Sequence, residues 1–514
     1  MLEDLWRKSH IGNLFQIVAD TTTDPNGRAN NPARFGRWLM LAVTVVALHG
    51  CSFAPRAARI QAVDSMPRAF SGAVMDSLPP IPRWWQEFDD PVLNALVDTA
   101  LARNFDLAIA AARVSEIQNL YRISRSALLP SVQLTFDGTR QEVPTNTGAT
   151  RNISENIPEF PDRFDFTTYS ASLGLGYEID FWGRVRGSRN AALSNFFATR
   201  EDMRTARLGV ISETIATYFE VVEQLRQVAL SRENVDLLSE RAELTRDRYQ
   251  RGLVTSFELY AIEQEFEDAR AGLPLIEGRL FDAQGRLAIL LGTYRREALK
   301  LVGEGTRQRS VDLDRIPAGL PSELLRNRPD VAAAAHRLET ARQRVGVARA
   351  EQFPRFSLTG SGGTQSSSLS DIVDTSQRFW LFGGSLTAPL FNAGALRANV
   401  KVAWAQYEQQ AAAYEKTVLT AFHDVESSLV ALQKEGERYR FLSEALVQAE
   451  ASARNQQSRY VRGIGDYLAY VDSRRNLIRV EATLATAERS LAGARLAVNR
   501  ALGGDWVETP NDDL

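Results

Sequence analysis

The sequence predicts a mainly α-helical protein with a β-barrel part, built from two copies of one unit. Residues 169–180, YSASLGLGYEID, alternate apolar and polar side chains, which is the pattern of a strand with one apolar face. After Gly183 this alternation gives way to a long run without proline, which predicts a helix. The same change of period returns 211 residues later, in residues 380–397. A strand hairpin followed by long coiled-coil helices therefore occurs twice in the 514 residues.

The register of the duplication follows from counting. Residues 106–130 correspond to residues 330–354 at a shift of 224, and both segments begin with Asp and end with Pro. After the strand hairpins the shift is 211, which aligns Gly252 with Gly463. Because loops tolerate insertions, the 13 residues between the two shifts are assigned to a longer first hairpin loop.

The N-terminal region has the pattern of an export signal, in residues 34–50. Arg34 and Arg37 precede an apolar run over residues 38–48, which is too short to cross a bilayer permanently. Leu48-His49-Gly50-Cys51 resembles a bacterial lipobox, although His49 is unusual there. We therefore expect Cys51 to be the lipidated mature N-terminus, and Ser52 to allow sorting to the outer membrane. The polar leader, residues 1–33, has no role in such a signal and suggests a misassigned start codon.

The first repeat is predicted to span residues 84–292, after a proline-containing tether over residues 51–83. Helical spacing begins near Leu93 and again at Asp106, and Pro130 opens a strand. Gly138 to Arg163 reads as a loop, because it holds three prolines among Asn, Thr and acidic residues. The β-hairpin is thus placed at about 131–182, with its second strand beginning near Tyr169.

A coiled-coil hairpin is predicted to follow, over about 184–291. Apolar residues step by three and four along its first helix, and about 60 helical residues would extend for about 90 Å. Gly252 ends this helix, and Thr255 or Ser256 caps the returning one. A linker over 293–320 leads to the second repeat, 321–504, with its β-hairpin at about 355–391 and its coiled coil at about 394–503. Residues 505–514 form a tail.

The four predicted strands, each of roughly ten residues, cannot form a closed barrel alone, because the smallest single-chain membrane barrels have 8 strands. If these strands lie in a membrane, several chains must therefore share one barrel. A soluble sandwich is the alternative, but it leaves the long helices hard to place. Trp380, Phe379 and Tyr169 favour the barrel, because they resemble an aromatic girdle at a membrane surface.

Composition excludes several classes of function. A net charge of −3 offers no basic patch for nucleic acid. The four histidines, two of which lie in the leader or signal, form no cluster with Cys or carboxylates at metal-ligand spacing, and five methionines are too few for a soft-metal relay. The glycines of the strand regions do not open a helix and so predict no phosphate site. We expect no enzyme activity and no cofactor.

Together these motifs resemble the TolC/OprM family of outer-membrane efflux channels, in its lipoprotein, NodT-like branch. The similarity extends from Cys51 to Gly504 and includes the opening WWQEFDDPVLNAL, the NRPDV start of the second copy and the glycine-broken tips. The resemblance implies a homotrimer, with a twelve-stranded outer-membrane barrel on a periplasmic α-helical barrel. It also implies a passive exit duct that docks on a periplasmic adaptor protein and, through it, on an inner-membrane transporter of the resistance-nodulation-division class.

The same resemblance suggests which residues carry function. The periplasmic aperture is placed just past the second tip, where Leu468 and Asp472 share a helix face and would form an apolar and an acidic ring. Arg475 could pair with Asp472 or with a neighbouring chain. An exposed pair of little energetic value is the alternative. Some relatives have a carboxylate where this chain has Ala469, so the aperture is expected to be less acidic or to be held closed more weakly.

Adaptor docking is predicted at the tips, where the chain reverses and exposes backbone and apolar side chains. The docking residues are Arg251, Gly252, Leu253 and Thr255 in the first repeat and Arg462, Gly463 and Ile464 in the second. Two other functions stay open at this point. One is the outer-membrane component of a type I protein secretion system, and the other is a lipid-anchored coiled-coil scaffold, which would have no use for amphipathic strands.

Overall fold

The structure is a computed structural model that describes residues 53–57, 67, 83–145, 161, 163–302 and 328–504. Cys51, the predicted leader and signal, the predicted tail and most of the tether and of the linker lie outside the described residues. The chain divides into two compact units. Residues 128–184 and 350–391 belong to the strand unit, and residues 54–127, 185–349 and 392–514 belong to the helical unit.

The strand unit is a four-stranded antiparallel sheet in the order β1-β2-β3-β4. Its strands are β1 Ser131–Pro144, β2 Arg163–Ile179, β3 Arg355–Ser366 and β4 Arg378–Thr387. Each repeat supplies one hairpin, and β2 pairs with β3 to join the two repeats, with Tyr169 opposite Ser366 and Ile179 opposite Phe356. The remaining edges of β1 and β4 have no partner strand in the described part of the chain.

The first hairpin is longer than predicted, and the bounds expected for its loop, Gly138 to Arg163, were wrong, because β1 extends to Pro144 and β2 begins at Arg163. Gly138 stays in β1 opposite Tyr169, and pairing continues until Pro144 faces Arg163. Glu142 accepts a hydrogen bond from Arg163 across the strands at 3.2 Å. The sequence hides this extension for two reasons. Residues 137–142 of β1 have no large apolar side chain on either face, and in β2 the apolar alternation changes face, because Phe164 and Phe166 lie on the face opposite to Tyr169.

The helical unit contains two equivalent sets of helices. The first repeat forms α1 Pro91–Arg103, α2 Phe105–Ser126, α3 Arg184–Gln250 and α4 Ser256–Leu290, and α5 Arg295–Val302 follows it. The second forms α6 Pro329–Ala350, α7 Ala395–Val461 and α8 Tyr467–Ala501. Helices α2 and α6 both have 22 residues, α3 and α7 both have 67, and α4 and α8 both have 35. Their bounds differ by the shifts of 224 and 211 found in the sequence. The linker over 293–320 was expected to be irregular, and this expectation was wrong at its start, because α5 occupies residues 295–302.

The largest core cluster of the helical unit joins α1, α3, α4 and α5. Trp85, Leu93, Ile211 and Leu291 are almost completely buried in it. Tyr218, also buried there, donates its hydroxyl to the Asp90 carboxylate at 2.5 Å. The other oxygen of Asp90 accepts the backbone N–H groups at the first turn of α1, so a single side chain caps that helix and satisfies a buried phenol. Within the described residues, no helix has a stretch long and apolar enough to cross a membrane.

Candidate functional site: the helical tips and their ion pairs

The two tips have the same backbone. Gly252 and Gly463 follow α3 and α7 with φ of +67° and +71°, a conformation that glycine adopts without steric cost. Gly252 N–H donates to the Tyr249 carbonyl at 2.9 Å, and the next N–H, of Leu253, donates to the carbonyl five residues back at 2.9 Å. The second tip repeats both bonds. This is a Schellman ending, which satisfies the last helical carbonyls and reverses the chain.

Apolar side chains at the tips are exposed. Leu253 and Ile464, which occupy equivalent positions, are 65% and 67% exposed. Arg251 pairs with Asp247 of α3 at 2.9 Å. Thr255 accepts the Glu258 N–H at 3.3 Å and so caps α4, as predicted. Arg462 and Gly463 are exposed too. On each hydrogen-bonded turn, a large apolar side chain is therefore exposed near an arginine, and Phe257 at the first tip and Val461 at the second are exposed as well.

The second tip requires a glycine at position 465, which the sequence pattern did not predict. Gly465 stands where the first repeat has Val254, and a Cβ atom added to it would lie 2.8 Å from Cβ of Arg459 and 2.9 Å from the Tyr460 nitrogen. Side chains are therefore excluded at this position. Gly465 has no positive φ, so only the close approach of the preceding helix end explains it.

The predicted aperture residues lie in the first three turns of α8. Leu468 is half-buried, and the Asp472 side chain is 59% exposed. The Arg475 side chain is 30% exposed. Spacings of four and three residues place the three side chains on one face of α8.

The predicted pairing of Arg475 with Asp472 was wrong within the chain. Arg475 pairs with Glu265 of α4, and Asp472 accepts a hydrogen bond from Arg241 of α3 at 3.1 Å. Arg241 also lies 3.9 Å from Glu265, so two arginines and two carboxylates form one cluster. The Arg241–Asp472 pair links α8 to α3, and the Arg475–Glu265 pair links α8 to α4, so the cluster joins the second coiled-coil hairpin to the first. The partners lie more than 200 residues away in the sequence, so no local pattern identified them.

Further ion pairs join α8 to α3 along their length. Arg474, the residue before Arg475, pairs with Glu233 of α3. Two more bridges follow farther along α8, Arg226–Glu481 at 2.6 Å and Arg489–Glu223 at 2.8 Å. Glu223 is buried and also accepts the Thr486 hydroxyl at 2.8 Å. The tip-proximal cluster therefore lies at the end of a longer polar seam between the repeats.

Between these helices lies a cavity of about 1260 Å³, lined by residues of α3, α4, α5, α7 and α8. Glu488 of α8 lines it, and burial raises the pKa of its carboxyl to about 7, although nearby Arg226 acts in the opposite direction. Other charged groups at the cavity are Arg296, Lys300, Glu450 and Glu481. Folding therefore disfavours the ionised form of the Glu488 carboxyl relative to the unfolded chain.

Glu488 should make the protein less stable as the pH rises. A carboxyl whose pKa is raised in the folded state does not lower the free energy of unfolding when the pH is below its unfolded pKa, near 4.5. It lowers the free energy of unfolding most when the pH is above about 7. We expect Glu488→Gln to stabilise the protein by about 2 kcal/mol at pH 7.5, after allowance for partial solvation, and by almost nothing at pH 4.5. Thermal unfolding of detergent-purified protein at both pH values measures this. Glu450→Gln, in the same cavity, is the matched control, and an equal gain at both pH values would contradict the assignment.

Comparison with known proteins identifies the family. The family model described as "Outer membrane efflux protein" matches residues 96–293 and 320–504, which contain both repeats. The chain belongs to this family. It is 31% identical over 480 residues to the antibiotic efflux pump outer membrane protein ArpC of Pseudomonas putida, covering 91% of this chain and 96% of that protein. It is 33% identical over 430 residues to the pyoverdine export outer membrane protein OpmQ of Pseudomonas putida, with 83% and 89% covered.

A solved structure supports the same conclusion. The Campylobacter jejuni CmeC outer membrane channel superimposes with a TM-score of 0.78 and 26% identity, covering 90% of this chain and 96% of that one. The predicted fold class, the resemblance to outer-membrane efflux channels and the outer-membrane location are confirmed. The family has a channel role. In the part of the chain that the structure describes, no group of three or more His, Cys, Asp or Glu could hold a metal ion.

Proposed function

We propose that this outer-membrane efflux protein is the passive exit duct of a tripartite pump and carries no catalytic activity. Three copies would contribute four strands each to one twelve-stranded barrel, above a cylinder of their helices. The tips would dock on a periplasmic adaptor, which connects them to an inner-membrane transporter of the resistance-nodulation-division class. The equal helix lengths of the two repeats support this proposal, because they bring two equivalent tips to the same level in every copy.

Docking at the tips is the first testable part. The observation that supports it is that Leu253 and Ile464 are exposed on turns whose backbone N–H groups already donate hydrogen bonds within the tip. The double variant Leu253→Asp, Ile464→Asp keeps both glycine turns and replaces these two exposed apolar side chains by carboxylates. We expect cross-linking to the adaptor to fall by about tenfold or more, because buried apolar anchors dominate such interfaces. Drug resistance conferred on a strain that lacks the chromosomal gene should fall with it.

Tyr294→Asp is the control for this experiment, because Tyr294 is 87% exposed and lies outside the tips. It should leave adaptor cross-linking and resistance unchanged. Equal cross-linking in the tip variant and the control would place the adaptor contact elsewhere on the helices. Loss of outer-membrane trimer in the tip variant would instead show a folding defect.

We further propose that Leu468, Asp472 and Arg475 line the closed periplasmic aperture. In three copies, Asp472 would form an acidic ring that favours cations, and Leu468 an apolar ring beside it. Repulsion among the carboxylates requires an opposing attraction. The pairs of Arg241 with Asp472 and of Arg475 with Glu265 can supply it, because they hold α8 to the first repeat.

We propose that Cys51, outside the described residues, is the lipidated mature N-terminus. Phe53 stacks on Phe353 with ring centroids 4.9 Å apart, so the chain just after this cysteine packs against the strand unit. Mass spectrometry of outer-membrane material should show no peptide upstream of Cys51. Cys51→Ala should remove the lipid while the barrel still inserts. An intact leader in the outer membrane would overturn the proposal.

The cargo is proposed to be drugs or other small solutes. ArpC is named for antibiotic efflux and OpmQ for pyoverdine export, so similar relatives serve different small molecules. Comparing the susceptibility of a deletion strain with that of the complemented strain, over a panel of antibiotics, solvents and siderophores, would define the class. Loss of a secreted protein with no change in susceptibility would favour a protein secretion duct.

A further inference from the structure

The two faces of the sheet carry different side chains. Residues directly opposite each other on neighbouring strands point to the same face, so the strand register assigns every position to a face. Leu134, Leu173 and Trp380 lie in one row across the sheet and belong to the apolar face. The polar face consists of the odd-numbered positions of β1, β3 and β4 and the even-numbered positions of β2, and most of these are Ser, Thr, Gln or Gly.

In the barrel proposed above, the polar face lines the duct. The apolar face of a membrane barrel meets lipid, and the polar face surrounds the interior. A twelve-stranded barrel is wider than the eight-stranded barrels whose interior is filled by their own side chains, so its inner wall stays open to solutes. An apolar side chain on the polar face is therefore covered neither by lipid nor by the opposite wall.

Two apolar side chains of β4 break the pattern of the polar face. Phe379 lies opposite Gly363, and Leu381 lies opposite Ser361, both in β3. Leu381 is 65% exposed, and Phe379 is half-buried. Because glycine and serine are small, the neighbouring strand leaves these two apolar side chains accessible. We refer to Phe379 and Leu381 as the β4 patch.

The duplicated hairpin does not require apolar residues at these positions. Subtracting the shift of 211 from the β4 patch gives Thr168 and Ser170 of β2, which lie on the polar face and are polar. On the apolar face, in contrast, Trp380 corresponds to Tyr169, so both repeats have a large aromatic side chain there. The β4 patch is therefore a feature of the second repeat and not of the strand architecture that the repeats share.

A second apolar pair lies on the polar face near the loop end of the first hairpin. The rings of Phe164 and Phe166 have centroids 6.1 Å apart, and Phe166 is 54% exposed. We refer to these two residues as the β2 patch. The row that contains Phe379 crosses β2 at Ser172, six residues from Phe166, so about 20 Å of strand separate the two patches.

The side chains that share rows of the sheet with the β4 patch are uncharged. Along the described strands, the row of Phe379 contains Gly363, Ser172 and Thr135, and the row of Leu381 contains Ser361, Gly174 and Gln133. Hydroxyl and amide groups donate and accept hydrogen bonds but do not neutralise an ion. This surface therefore matches an uncharged solute that has an aromatic part and a few polar groups.

We propose that the β4 patch and the β2 patch are successive binding sites for uncharged aromatic solutes on the inner wall of the barrel. The aromatic part of the solute packs on Phe379 and Leu381 and then on Phe166, and hydroxyl groups of the same rows bind its polar groups. These contacts are small, so the solute is held weakly enough to leave, as conduction requires. The inference rests on the three-copy barrel proposed above and adds where the solute binds within it.

Cysteine accessibility tests whether the β4 patch faces the duct. Leu381→Cys and Ser385→Cys are on the polar face, and Phe382→Cys is on the apolar face of the same strand. Whole cells are treated with a charged, membrane-impermeant methanethiosulfonate, and the wild type measures any labelling of Cys51, the single native cysteine. We expect both polar-face cysteines to be modified. Phe382→Cys should react more slowly by about tenfold or more, because a thiolate is disfavoured in an apolar environment.

Protection by a soluble probe tests whether the patch binds a solute. N-acetyltryptophanamide is uncharged and aromatic, and N-acetylglycinamide has the same polar groups without the ring. The tryptophan probe should slow the modification of Leu381→Cys by about threefold or more, because its ring can pack on the ring of Phe379. The glycine probe should not. Ser385→Cys, four residues along the same face, is the matched control and should react at the same rate with either probe.

Removing the ring of Phe379 tests which side chain holds the probe. Added to Leu381→Cys, the change Phe379→Thr introduces the residue that the first repeat has at the equivalent position. Protection by the tryptophan probe should then fall to the level of the glycine probe, at unchanged trimer yield. If Leu381→Cys or Phe379→Thr yields no trimer, Phe166→Cys is used with the same two probes and tests the β2 patch.

The results separate this inference from the proposed duct function. Modification of Phe382→Cys but not of Leu381→Cys, in trimers that still confer drug resistance, would reverse the two faces and overturn the inference alone. Equal protection by both probes, or full protection in the Phe379→Thr variant, would overturn aromatic binding at the β4 patch and keep the barrel. Absence of trimers and of resistance in the wild type would overturn both.

Discussion

Replacing Arg241 and Arg475 together by alanine should open the periplasmic aperture and raise the single-channel conductance in planar bilayers. The two arginines neutralise Asp472 and Glu265, and their side chains are only 20% and 30% exposed. Removing them leaves two unpaired carboxylates in each chain. If each pair contributes about 1 kcal/mol, three chains lose about 6 kcal/mol, and a loss of that size shifts a closed–open equilibrium by about four orders of magnitude.

Arg270→Ala is the matched control for the aperture. Arg270 pairs with Glu267 at 2.8 Å, three residues away within α4, so this pair holds no two helices together. Its removal should leave conductance unchanged. Asp472→Ala removes the carboxylate itself, so cation preference should fall. Wild-type conductance in the double arginine variant, at normal trimer yield, would show that other contacts close the duct.

Gly363→Ala should prevent assembly of the barrel. An added Cβ atom would overlap the Ala171 carbonyl oxygen and lie 2.6 Å from Cα of Ser172, and both are backbone atoms of the paired strand β2. Backbone atoms cannot move aside as a side chain can, so the β2–β3 pairing must shift. We expect a cost of about 3 kcal/mol or more and a large loss of folded protein in the outer membrane.

Gly362→Ala is a control one residue away. A Cβ atom there would be 3.7 Å from the nearest atom, the Phe379 carbonyl oxygen, which is an ordinary contact distance. Heat- and protease-resistant trimer in outer-membrane fractions measures both variants. Normal yield of the Gly363→Ala variant would mean that β2 and β3 pair less closely than the structure shows.

Much of the fold was predictable because its determinants are local. Alternation over residues 169–179 identified β2. The glycines at 252 and 463 identified both tips, because the backbone there has a positive φ, which glycine adopts without steric cost. The shifts of 224 and 211 predicted correctly which helices are equivalent. The end of β1 was missed because residues 137–142 have no large apolar side chain on either face, and the start of β2 because its apolar alternation changes face between Phe166 and Tyr169.

The sequence by itself determined the duplication, the strand and helix order and the family resemblance, because periodicity and turn chemistry depend on residues close in the chain. Only the tertiary structure decided which charges pair near the aperture, where Arg475 binds Glu265 and leaves Asp472 to Arg241. The structure alone also showed that α6 is covered while α2 is not. Ion pairing and burial depend on which helices lie side by side. The sequence close to each of two residues more than 200 positions apart does not show that their helices are in contact.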